Sequence, residues 1–165
     1  MKTNSTNVDT FRSPEFGPLG VVDEDRVTWR REPSNPDLTY DPNPSALTND
    51  VVAATVTADM PATRLTAARD AAAVCLATMG AGHVPARLVD TLAEFQARDV
   101  PVVATTRCPE GRLARHTYGF RGSESTLRDL NCRFSDLNLQ KTRIKTIVAL
   151  AAGALDPAFE RPGPA

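Results

Sequence analysis

Three short segments hold the residues best suited to chemistry. Gly80-Ala81-Gly82-His83-Val84-Pro85 joins two glycines, which let a backbone approach a ligand, to an imidazole that titrates near neutrality. Where such a segment leads into a helix, the helix N-terminus favours an anion such as a carboxylate. The third glycine of a dinucleotide fingerprint and the Gly-Lys-Ser/Thr ending of a P-loop are both missing. On its residues alone the segment reads rather as a plain tight turn, and His83 as an ordinary polar residue at a helix start. Thr105-Thr106-Arg107-Cys108-Pro109-Glu110-Gly111-Arg112 offers hydroxyls and a guanidinium fork able to clamp a carboxylate; the alternative is a hydrogen-bonded turn at a strand end. Lys2-Thr3-Asn4-Ser5-Thr6-Asn7 surrounds a lysine with amides and hydroxyls, the setting in which a buried lysine relays a proton. A polar terminus of this composition also frays.

Other chemistries find less support. Cys75, Cys108 and Cys132 are widely spaced, odd in number and without a CxxC, so they read as reduced thiols of an intracellular protein. Cys108 has no histidine adjacent in sequence and is not proposed as a nucleophile. His83 and His116 give no zinc spacing, and neither a metal nor a cofactor is expected. The 19 Lys+Arg against 20 Asp+Glu argue against a basic stripe for nucleic acid. No apolar run approaches the roughly 20 residues of a membrane helix, and Met-Lys-Thr-Asn-Ser-Thr lacks the apolar stretch of a signal peptide. The expected compartment is the cytoplasm.

The elements that must position these residues follow from pattern. Pro33, Pro36, Pro42 and Pro44 cannot continue a helix or a central strand, so 33–48 reads as a linker. Before it, 1–32 contains two β-rich runs, Leu19–Val22 and Arg26–Arg30, around Asp23-Glu24-Asp25, which predicts a hairpin with a three-residue turn. After it, strands at 51–57, 72–78 and 101–105 alternate with helices. One helix is short and opened by Pro61; another carries Leu88, Leu92 and Phe95. The last spans 138–153, with Ile144, Ile147, Val148 and Ala151 on its apolar face and Arg143 and Lys145 on its polar side. Such alternation predicts an α/β domain over 49–157 with a parallel sheet and right-handed crossovers, and a tail at 158–165. Ligands in such sheets bind beyond the carboxyl ends of the strands, here 58–60, 79–84 and 105–112. Phe11, Phe16, Leu19 and Trp29 have little following sequence to cover them, which predicts a partner surface and self-association.

Four motifs together resemble one family. Lys2–Pro14, followed by Gly17-Pro18-Leu19-Gly20, resembles the segment closing the N-terminal domain of bacterial-type L-asparaginases. Gly80–Pro85 resembles that family's Gly-x-Gly-(Asn/His) turn. Tyr118-Gly119-Phe120 and then Asp136–Arg143 resemble its closing Tyr-Gly-Phe and Leu-x-x-x-Lys-x-Arg helix. The likeness covers 1–32 and 71–155.

The resemblance implies a two-domain amidohydrolase cut short, of which this chain is the small parallel-sheet, flavodoxin-like C-terminal domain. The family hydrolyses the side-chain amide of asparagine, with glutamine as the alternative substrate. Its threonine nucleophile, activating tyrosine and Thr-Asp pair sit on an N-terminal domain and have no counterpart here. Lys2 matches the lysine that completes a Thr-Lys-Asp proton relay. His83 stands where several members have an asparagine touching the neighbouring subunit's site, so Gly82 and His83 are carried over as substrate-binding. A family acidic residue near Tyr-Gly-Phe has two candidates, Glu110 and Glu124, and is assigned to neither. The implied partners are further copies of the chain or the missing N-terminal domain, and the chain alone is expected to be inactive. Two other readings are a non-catalytic assembly or amino-acid-binding module using the 80–85 turn, and the related subunit of an archaeal-type tRNA-dependent amidotransferase, which the balanced charge disfavours.

Overall fold

The computed structural model describes residues 1–32 and 39–159, in two units divided after Leu38. In the first, β1 (Gly20–Asp23) pairs antiparallel with β2 (Arg26–Trp29), Gly20 opposite Trp29 and Asp23 opposite Arg26. Val21, Val22, Val27 and Thr28 supply the β-branched stiffness that favours strands. The turn has two residues, not three, because Asp23 pairs within the ladder and Glu24 closes the reversal at φ 54. Residues 1–12 also fold back on themselves. Lys2 bridges Phe11, Thr3 N–H donates to Thr10 O, and Arg12 N–H to Met1 O, both at 2.9 Å. Asn4 N–H donates to the buried Thr10 hydroxyl at 2.7 Å. Backbone pairing and one buried threonine thus organise a segment whose composition alone suggested fraying. Phe11, Phe16, Val22 and Trp29 are exposed.

The second unit runs β3 (Val51–Thr55), α1 (Thr63–Thr66), β4 (Ala73–Thr78), α2 (Val89–Ala97), β5 (Val102–Thr106), α3 (Glu124–Asp129), β6 (Arg133–Phe134), α4 (Leu139–Ala151) and α5 (Leu155–Ala158). The four strands are parallel in the order β3-β4-β5-β6. The expected α/β architecture with a parallel sheet is therefore present. Strand order follows chain order, so the carboxyl edge of the sheet is shaped by its loops rather than by a reversal of strand order.

All six residues of β4 are buried, as a strand covered on both faces requires. Its two-residue period sorts the cores. Val74 and Leu76 pack with Leu65, Leu92, Phe95 and Leu127. Ala73 and Cys75 face the other way, with Val103, Ala149 and Phe159.

That second face explains why α4 buries only part of the side its aliphatic spacing predicts. Ala151 is buried and Ile147 packs half-buried against the second core, but Thr142, Thr146 and Ala149 are buried as well, while Ile144 is 58% exposed. The sheet there presents the small side chains of Ala73 and Cys75, which small helical residues meet closely. Both threonine hydroxyls are satisfied: Thr142 Oγ1 donates to Leu137 O at 3.0 Å and Thr146 Oγ1 to Thr142 O at 2.8 Å. Arg143 does not lie on an open polar side either. Its Nε donates to Val51 O at 2.7 Å and its Nη2 to Asn49 O at 2.8 Å, tying α4 to the start of β3. Asn138 caps the helix by accepting from Lys141 N–H at 3.0 Å.

Of the expected linker, 33–38 lies outside the described residues. Residues 39–48 belong to the second unit: a 3-10 turn at Pro44–Ala46, with Asn43 N–H donating to Ala151 O at 3.0 Å. Of the expected tail, Ala158 ends α5 and Phe159 is buried; 160–165 lies outside the described residues. The short elements α3, β6 and α5 have no counterpart in the sequence reading.

Candidate functional site

After β4 the chain doubles back. Met79 and His83 exchange backbone hydrogen bonds at 2.9 Å in both directions, enclosing Gly80-Ala81-Gly82. Gly82 has φ +118, and a β-carbon there would lie 3.0 Å from the Glu124 β-carbon. Gly122 has φ +93, and a β-carbon there would lie 2.3 Å from Val84 O. Neither conformation nor either approach suits a larger residue. Three hydrogen bonds of 2.8 Å then fasten the loop: Val84 N–H to Gly122 O, Ala114 N–H to Ala81 O, and the Thr106 hydroxyl to Gly80 O.

The fastening brings His83 into the Tyr-Gly-Phe segment. Its ring meets Tyr118 edge-on, centroids 4.8 Å apart at 87°, and leans on Phe120 at 5.0 Å and 51°. These are favourable aromatic geometries. Beneath lies Glu124, the first residue of α3, fully buried. Its Oε1 accepts from the N–H groups of Thr117 and Tyr118, both at 2.7 Å. Its Oε2 lies 3.9 Å from His83 Nδ1, and both atoms are buried without a hydrogen-bond partner.

Burial opposes ionisation of Glu124. The N–H groups of Tyr118, Thr117 and Glu124 itself outweigh it, with His83 adding a smaller pull, and hold the carboxyl below its ordinary range. Glu124 is therefore a carboxylate. Of the two acidic candidates, this one faces His83, whereas Glu110 is exposed on the turn after β5.

Gly82 and His83 are thus brought together with Tyr118, Phe120 and Glu124. Lys2 belongs to the first unit, where it is exposed with Nζ 5.5 Å over the Phe11 ring. The hydroxyls at the end of β5 are engaged in structure, as the alternative of a hydrogen-bonded turn at a strand end requires. Thr105 Oγ1 donates to Leu137 O, Thr106 supports the His83 loop, and Arg107 Nη1 donates to Val56 O at 3.3 Å. Cys108 is exposed; Cys75 and Cys132 are buried, and burial pushes the Cys132 thiol up to about 12. A cavity of about 220 Å³ between Arg112, Arg115, Ser135, Asp136, Lys145 and Phe159 shares no residue with the His83 cluster. The sequence offered Glu124 only as one of two acidic candidates, and the contribution of Gly122 escapes it, since a glycine two positions before a carboxylate means something only once Val84 is known to press on it.

The parallel α/β unit that carries this loop falls within a known family. The profile described as "Glutaminase/Asparaginase C-terminal domain" matches residues 50–160, and the chain belongs to that family. It is 28% identical over 160 residues to L-asparaginase 2 of Escherichia coli strain K12, covering 90% of this chain and 43% of that protein. It is 29% identical to the probable periplasmic L-asparaginase of Haemophilus influenzae, with the same coverage. The thermostable L-asparaginase from Thermococcus kodakarensis shares the fold, with a TM-score of 0.75 at 24% identity over 91% of this chain and 46% of that one. The chain therefore spans less than half the length of these relatives.

Proposed function

We propose that this chain acts as the C-terminal part of an asparaginase-type amidohydrolase, in the reaction L-asparagine plus water to L-aspartate plus ammonia, with L-glutamine as the alternative substrate. The family match over 50–160 carries the reading. The His83 loop supports it, because it is a preformed, glycine-enabled feature at the carboxyl edge of the sheet.

Within that reading, Gly82 and His83 bind substrate, and Lys2 moves protons in a relay. His83 faces a carboxylate and the rings of Tyr118 and Phe120, and among the described residues no serine or threonine hydroxyl is hydrogen-bonded to its Nδ1 for activation as a nucleophile. The covalent step thus falls to a nucleophile on an asparaginase N-terminal domain, and that domain and further copies of this chain are the proposed partners. The cytoplasm is the proposed compartment, since its reducing conditions suit three unpaired thiols.

The preformed state of the His83 loop also favours a second reading, an amino-acid-binding module without turnover. Calorimetry with asparagine and aspartate, beside an ammonia assay, separates the two. Heat of binding without ammonia, even when an N-terminal domain is supplied, would select the binding module.

A further inference from the structure

We infer that Glu124 is a positioning residue that fixes the tautomer of His83, holding the proton on Nδ1 and presenting Nε2 as a hydrogen-bond acceptor. The geometry leaves little choice. Oε1 is committed to the N–H groups of Thr117 and Tyr118, so the lone pairs of Oε2 are the ones directed at the imidazole. Oε2 and Nδ1 lie 3.9 Å apart, both buried and both without another partner. A lone pair on Nδ1 would repel the carboxylate; a proton there is attracted to it.

The titratable groups against the ring are Glu124 from α3 and Tyr118 from the loop before it. Among the described residues, no lysine or arginine is paired with Glu124 to divert its charge. The carboxylate cannot turn away, since the two N–H bonds anchor one oxygen and Gly82 packs against its β-carbon.

The consequence concerns what His83 recognises. With Nδ1 protonated, neutral His83 accepts a hydrogen bond through Nε2, so its ligand must offer a donor: the α-ammonium or the side-chain amide N–H of an amino acid, rather than a carboxylate. This last step rests on the reading of His83 as substrate-binding; the tautomer itself does not.

Long-range proton–nitrogen NMR of the nitrogen-15-labelled chain at about pH 8.5, well above the usual imidazole range, reads the tautomer without any ligand. His116→Gln removes the other histidine signal. The expected result is an Nδ1–H pattern for His83. In Glu124→Gln the amide oxygen must keep the two backbone N–H bonds, which turns the amide NH2 toward Nδ1 and makes it donate. The two ring-nitrogen shifts should then invert to the Nε2–H pattern. A residue that merely held Thr117 and Tyr118 in place would leave them unchanged. An Nε2–H wild type overturns the inference, as does an unchanged tautomer in folded Glu124→Gln. If that variant does not fold, the wild-type pattern decides alone. Because no asparagine is present, failure here is distinct from failure of the asparaginase reading, which the ammonia assay tests.

Discussion

Replacing Gly80, Gly82 and Gly122 in turn by alanine should destabilise the second unit in that rising order. At Gly80 (φ +49) an added β-carbon meets nothing within 4 Å, so only the left-handed backbone is penalised, by about 1–2 kcal/mol. Gly82 sits at φ +118, outside the left-handed helical well, where strain is about 1–3 kcal/mol. Its β-carbon would also press on that of Glu124 at 3.0 Å. Glu124 cannot recede without loosening its two N–H bonds, worth roughly 1.5–3 kcal/mol each to a charged acceptor. We therefore expect about 2–4 kcal/mol at Gly82, strain and partial loosening together. At Gly122 the new atom would overlap Val84 O at 2.3 Å. The two segments must part and the Val84–Gly122 hydrogen bond must break. A loss above roughly 4 kcal/mol is expected there, a large share of the 5–15 kcal/mol typical of a whole domain. Urea unfolding followed by far-UV circular dichroism is the suitable assay, because the single tryptophan, Trp29, lies in the first unit. Equal losses at all three positions, or a Gly122→Ala loss within about 0.5 kcal/mol, would refute the claim that close backbone approach builds the His83 loop.

Three further outcomes follow. The Glu124 carboxyl has a folded pKa below its unfolded value, so its stabilisation is present above about pH 4.3 and is lost as pH falls through the folded pKa; urea midpoints of Glu124→Gln should vary less between pH 3 and 7, on the order of one transition fewer. Arg143→Ala should lose about 1.5–3 kcal/mol by removing charged donors from two carbonyls, whereas Ile144→Ala, at an exposed position, should stay within about 0.5 kcal/mol in the same urea assay. Thiol titration of the native chain should modify Cys108 rapidly, with Cys75 and Cys132 reacting only after unfolding.

What could be read from sequence was whatever a local pattern encodes. The apolar run at 72–78 announced a strand, and glycine spacing announced the 80–85 turn. Part of the buried face of α4, Ile147 and Ala151, was legible, but the rest was hidden because aliphatic periodicity does not count threonines, and Thr142 and Thr146 are buried with their hydroxyls bonded inside the unit. Strand β6 has two residues, too few to show any period. At the site, His83 was visible as a residue type. The carboxylate facing it lies 41 positions away in sequence and is set there by Gly122 and by N–H groups of Thr117 and Tyr118, so only the folded chain reveals the pair.

The most direct test of the proposed function is ammonia release from L-asparagine, measured for the purified chain alone and for the chain combined with an asparaginase N-terminal domain carrying the threonine nucleophile. We predict no release by the chain alone. The combination should give equal ammonia and aspartate, with losses on Lys2→Met and on His83→Ala. Turnover by the chain alone would contradict the proposal, and so would a folded combination that releases no ammonia.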